Sequence, residues 1–168
     1  GWVAVEKYEP TELFEKYQSS RPEMRSEILM EWLRILSKKE ENAVSLPNHI
    51  QQSRFQSDLE NLNFSNESDK RLSAPLISLM GYAENKELSL QSLLQFSAKI
   101  PIHQGFEAQI ALIFAIARLG VWNEQVKSYF ETAYKDTDPS VRKSVAYVLG
   151  AQKNWPQEEL RAFLLPLL

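Results

Sequence analysis

Two histidines and no cysteine leave this 168-residue chain few ways to do chemistry. His49 and His103 are the side chains whose ordinary titration falls near neutral pH. Each stands alone close to a proline, Pro47 and Pro101. A general base needs a neighbour that orients it and a proton within reach. No motif in the sequence supplies such a neighbour, so both read as solvated turn residues, with a general base as the alternative. Asp136-Thr137-Asp138 has the outline of a paired-carboxylate metal motif, but Pro139 follows it. A proline in the first helical turn makes the preceding Asp138 a helix cap, its side-chain oxygen taking an orphan backbone N–H. Asp136 is then a loop charge. The sequence contains no phosphate-binding loop, dinucleotide fingerprint, Gly-x-Ser-x-Gly elbow or His-Glu-x-x-His zinc helix. Without Cys there is no disulfide framework, thiolate metal site or cysteine nucleophile. No catalytic residue, metal ligand or cofactor site is assigned.

Charge narrows the partners. Nineteen Lys and Arg against 22 Asp and Glu give a formal net charge of -3, which points away from nucleic acid. Lys38-Lys39, Lys70-Arg71 and Arg142-Lys143 are short basic pairs of the kind that sit at solvated helix ends. The longest purely apolar stretch, Ile110 to Ala117, falls far short of the ~20 residues of a membrane helix. No basic-then-apolar leader opens the chain. It begins with Gly1 rather than Met and ends on Leu164-Leu165-Pro166-Leu167-Leu168. It therefore reads as a processed or excised piece, soluble, with a cytoplasmic or an exported location both open.

The elements that must position these residues are helices. Leu (22), Glu (18) and Ala (13) far outnumber Val (8) and Thr (3), a bias toward helix over strand. Period-two alternation is confined to Trp2-Val3-Ala4-Val5, whereas helical spacing recurs along the chain. Met24, Ile28, Leu29, Trp32, Leu33 and Leu36 line one face after Pro22. Leu72, Leu76, Leu79, Met80 and Ala83 line another, followed by Leu90, Leu93 and Leu94. Val126, Phe130 and Ala133 precede Val141, Val145, Val148 and Leu149, and Leu160, Phe163, Leu164 and Leu167 form the last stripe. The segment 105–119 is apolar all round, so it is expected to be covered on most sides as the central helix, its Ala108, Ala111 and Ala115 admitting a close neighbour. Gly81, Gly120 and Gly150 each follow an apolar helix end and are expected to stop it. Pro75 either starts a helix after Ser73 or kinks a longer one. Residues 40–68 are polar and divergent or loop-rich, with Phe55, Leu59 and Leu62 as their helical signal.

A weak repeat emerges when Pro139 is laid on Pro22, an offset of 117 residues. Tyr17 then falls on Tyr134, Leu13 on Phe130, Arg25 on Arg142 and Trp32 on Leu149. The segment Tyr134-Lys-Asp-Thr-Asp138-Pro139-Ser-Val141-Arg142-Lys-Ser-Val145-Ala146-Tyr-Val148-Leu149-Gly150 resembles one HEAT-like (armadillo-type) helical-hairpin repeat. The resemblance is clearest over 126–151 and weaker over 13–36, where Arg21-Pro22 replaces the family's Asp-Pro turn. It implies an all-α fold: stacked antiparallel helix pairs, an α-solenoid of about four hairpins plus a terminal helix, in a single domain 1–168 with 1–9 as a leading extended segment. It also implies structural turn roles for Asp138, Pro139 and Arg142, the arginine bonding to Asp138 or Asp136. Tetratricopeptide repeats share some of this vocabulary at Gly120, Trp122 and Pro139, but the 19 residues from Gly120 to Pro139 are too few for a repeat that needs ~24 there.

The function expected is that of a protein–protein interaction module or scaffold, without catalysis and without a cofactor, holding a protein partner on a helical face. Two alternatives stand beside it: an enzyme on a HEAT-like scaffold, of lyase or glycosylase type, and a segment of a longer structural solenoid. Arg25, which has no Asp at the matching turn, and Trp2, an aromatic in the leading segment, are the candidate partner contacts.

Overall fold

A computed structural model describes residues 7–38, 44–101, 105–152 and 155–167. Among them the secondary structure is helical, with no strand. The helices are α1 (Pro10–Ser19), α2 (Arg25–Lys38), α3 (Asn48–Ile50), α4 (Gln56–Glu60), α5 (Glu67–Met80), α6 (Lys86–Ser97), α7 (Phe106–Leu119), α8 (Glu124–Tyr134), α9 (Pro139–Ala151) and α10 (Gln157–Leu164). Short 3₁₀ turns precede α2 (Pro22–Met24) and follow α10 (Leu165–Leu167).

Helix starts follow local chemistry. Pro10 and Pro139 open α1 and α9, where the missing N–H costs nothing. Asn66, Asn85, Asn123 and Asp138 cap α5, α6, α8 and α9 by accepting backbone N–H bonds on their side chains. The expected glycine stops divide three ways. Gly120 ends α7 in the left-handed region at φ 71°, where an L side chain is strained. Gly81 caps α5 without a positive φ; a Cβ there would sit 3.0 Å from the Ala115 Cα, so what Gly81 permits is close approach of α5 to α7. Gly150 is not a stop. It lies inside α9, with open space where its Cβ would be. Pro75 lies inside α5, so the helix runs through it rather than starting at it.

Residues 40–68 correct the loop-rich expectation in their described part. Asn48 to Glu60 is one helical run, α3 and α4 joined by a π turn at Gln51–Phe55. Ile50 and Phe55, both fully buried, are five residues apart. The extra residue of a π turn lets that spacing share a face, which is why a 3.6-residue pattern does not reveal it. A parallel bridge between Leu46 and Ala83 ties the preceding segment to the turn between α5 and α6. Leu46 N–H donates to the Tyr82 carbonyl and Glu84 N–H to the Leu46 carbonyl, each at 2.9 Å.

Packing is sequential. α1 lies against α2, α4 against α5, α6 against α7 and α8 against α9. α2, α5, α7 and α9 also contact one another in that order, and α4, α6 and α8 do the same. One apolar core runs through the set from Leu13 to Phe163, with Trp32, Tyr17, Phe55 and Phe130 its largest fully buried side chains. α7 is central, touching α5, α6 and α9. Its covering is incomplete, however: Phe106 and Phe114 are exposed.

Candidate functional site

The turn residues singled out in the sequence form a local scaffold. Asp138 Oδ1 accepts from Ser140 N–H at 2.8 Å, and Asp136 Oδ1 accepts from Asp138 N–H at 2.8 Å. Arg142 Nη1 donates at 2.7 Å to the main-chain carbonyl of Asp136, one of the two residues expected as its partner. The geometry is a turn locked from both sides, with Pro139 setting the first helical φ. Asp136 is thus a turn-forming group as well as a charge. The turn also walls a groove of about 610 Å³ shared with Ile100, Phe106 and Gln109. Among the described residues, no group of three or more His, Asp and Glu side chains is placed to hold a metal ion. His49 is exposed at the start of the α3 run. Trp2 and His103 lie outside the described residues.

Arg25 is found at a part-buried polar cluster that the sequence does not announce. Its guanidinium lies 5.6 Å from the Tyr17 ring centre, and that of Arg54 lies 5.7 Å from it. Tyr17 donates its hydroxyl to Asp58 Oδ2 at 2.6 Å, and Arg54 Nε donates to the same carboxylate at 3.0 Å. Burial, then the bond to Asp58 and its charge, push the Tyr17 phenol well above its ordinary value, outweighing the two cations. Phe55 packs edge-on against Phe14, Tyr17 and Trp32, holding α1, α2 and the π turn together. The neighbouring Gln51 is fully buried, and neither of its side-chain polar atoms has a hydrogen-bond partner among the described residues. This cluster joins α1, α2 and the α3–α4 run.

The outward face of the α2–α5–α7–α9 row is different. Its helices expose Met30 (61%) on α2, Phe114 (42%) on α7 and Tyr147 (67%) on α9. Phe114 and Tyr147 meet with ring centres 5.9 Å apart, bridging α7 and α9. Beside Phe114 a cleft of about 260 Å³ opens between α2, α5 and α7. Ser37, Ser78 and Ala115 are its small residues; Leu33, Tyr82 and Phe114 supply apolar surface; Arg34 and Arg118 supply charge. The Arg118 guanidinium carbon lies over Tyr82, 4.3 Å from the ring centre. Arg34 Nε bonds Glu31 at 3.0 Å, and that bond holds the Glu31 carboxyl below its usual range.

Sequence reasoning misses this face. A usable signal is present: Met30 and Arg34, Phe114 and Arg118, and Lys143 and Tyr147 are each four residues apart, hence neighbours on one helical face. What spacing cannot supply is that these three faces look the same way. No helix among the described residues is long and apolar enough to cross a membrane. No family model, no curated protein and no solved structure matches the chain.

Proposed function

We propose that the chain is a protein–protein interaction module built as a HEAT-like α-solenoid. In this reading α1/α2, the α3–α4 run with α5, α6/α7 and α8/α9 are four stacked hairpins, and α10 is the terminal helix. The order of neighbours in the two rows of helices supports it, since each hairpin buries its stripe against the next. So does the Asp138-Pro139 turn with its Arg142 bond. The B-helix row, α2–α5–α7–α9, presents the binding face.

The observation that carries the reading is the exposed set Met30, Phe114 and Tyr147 on that row. Buried aromatic anchors contribute most of the energy at protein interfaces, and an exposed Phe–Tyr pair is a ready anchor. No catalytic step is assigned to the chain. The test is cross-linking and affinity capture with the wild-type chain and with a Phe114→Ser/Tyr147→Ser variant whose helicity is checked by circular dichroism. A specific partner held by the wild type should bind the variant at least tenfold more weakly. A partner retained equally by both would remove this face from the function.

A further inference from the structure

Independently of the interaction reading above, we infer that the connection between α4 and α5 is a site of N-linked glycosylation, with Asn63 and Asn66 as the acceptors. Asn63-Phe64-Ser65 and Asn66-Glu67-Ser68 are consecutive Asn-x-Ser triplets, and neither has proline in the middle. The chemistry needs all three features: a primary amide as acceptor, a hydroxyl two residues on for the transferase to read, and a backbone free to turn between them. The fold displays both triplets. Asn63, Ser65 and Asn66 are exposed, while Phe64 between them is half-buried and stacks on Phe96 with ring centres 6.0 Å apart. Asn63 N–H donates to Asp69 Oδ2 at 2.9 Å, and Asn66 N–H donates to the Asn63 carbonyl at 3.0 Å. The acceptors therefore sit on a hydrogen-bonded surface turn.

Hydrogen bonds also fix which branch of each side-chain amide is engaged. Asn63 Oδ1 accepts from Ser65 N–H at 3.0 Å. Asn66 Oδ1 accepts from Ser68 N–H at 2.9 Å and from Asp69 N–H at 3.3 Å. In both triplets the oxygen binds the backbone of the third residue, and Nδ2 is the branch left over. Neither Nδ2, nor the hydroxyl of Ser65 or Ser68, has a hydrogen-bond partner among the described residues. Glycosylation joins Nδ2 to C1 of the first sugar of a polyprenyl-diphosphate-linked oligosaccharide. The new C–N bond replaces one N–H, whose proton passes to a base of the transferase. The C1–O bond breaks, and the polyprenyl diphosphate leaves. The product amide keeps Oδ1 and one N–H, so the turn at Asn63 and the Asn66 cap of α5 survive the modification. Ser78, in the cleft beside Phe114, lies roughly 18 Å along α5 from Asn66 at a rise of ~1.5 Å per residue, so the attachment points are clear of the interaction face. Of the two locations that the sequence leaves open, an occupied triplet selects the exported one.

The experiment translates the full chain behind a cleavable secretory leader in a cell-free system supplied with microsomes. Only protease-protected chains are read, by gel mobility before and after peptide N-glycosidase and by mass spectrometry of the peptide that spans the two triplets. The protected chain should run more slowly, and the glycosidase should remove the shift and convert the modified asparagine to aspartate. Ser65→Ala combined with Ser68→Ala keeps both asparagines and the backbone N–H groups that they bind, and should lose the whole shift. Ser65→Thr combined with Ser68→Thr should keep it. The glycosylated chain should give the same circular dichroism spectrum as the chain after glycosidase treatment. Protected wild-type chains without a shift overturn the inference. So does a shift that the double alanine variant retains, or a glycosylated chain that loses its helical spectrum.

Discussion

Tyr17, Asp58 and Arg54 show how much one carboxylate does in the core. Asp58 accepts from both the Tyr17 hydroxyl and Arg54, and its side chain is only 19% exposed. Asp58→Ala leaves a buried phenol and a half-buried guanidinium without that acceptor. Each lost partner costs about 1–3 kcal/mol, so a loss of about 2–6 kcal/mol is expected in urea unfolding at pH 7. The same residues set an alkaline limit. Burial raises the pKa of Tyr8, Tyr17 and Tyr129 above their ordinary value of 10.0. A raised folded-state pKa means that the unfolded chain releases the proton first. The stabilisation is therefore complete below pH 10 and is lost as pH rises beyond it. Unfolding curves from pH 8 to 11 should show stability falling above about pH 10, and Tyr17→Phe should flatten that fall. An unchanged slope in Tyr17→Phe would mean the phenol ionises as freely folded as unfolded.

At the scale of the element, two glycines with the same sequence context predict opposite results. Gly120 holds φ at 71° as the cap of α7, where a Cβ is strained. Gly120→Ala should cost about 1–2 kcal/mol. Gly150 sits within α9 with nothing near its missing Cβ. Gly150→Ala should therefore stabilise by about 0.5–1 kcal/mol, since alanine loses less backbone entropy in a helix. Thermal unfolding of the two variants side by side reads both signs. The cap of the same helix gives a third value: Asp138→Ala removes the bond to Ser140 N–H and should cost about 1 kcal/mol.

Across the whole molecule, stability is expected to be graded from the centre to the end. Leu112 and Ile116 are fully buried on α7, which touches helices on three sides. Leu112→Ala should destabilise every element together, by about 2–5 kcal/mol, because the cavity lies in the shared core. Phe163 is buried on α10, beyond Trp155 and Phe130, whose rings lie 5.6 Å apart. Phe163→Ala should loosen α10 while leaving α7 intact. Amide hydrogen exchange distinguishes the two: uniform loss of protection in the first variant, loss confined to 157–167 in the second.

The helices, the Asp138 cap and most of the buried stripes were legible in the sequence because each rests on residues three or four positions apart. Leu72, Leu76, Leu79 and Met80 are buried as their spacing predicts, and so are Val141, Val145, Val148 and Leu149. Where the rule is not local, the sequence is silent. Tyr17 meets Asp58 across 41 positions, and Leu46 reaches the α5–α6 turn. The π turn hides the shared burial of Ile50 and Phe55, because its period is not that of the helix around it. For the candidate site the division is the same. Each four-residue pair on α2, α7 and α9 can be read from the chain, but a run such as 110–117 has no polar side to show which way it faces. Only the packing of α5 and α9 on either side of α7 decided that Phe114 is left outside, next to Tyr147 and above the cleft of Arg34 and Arg118.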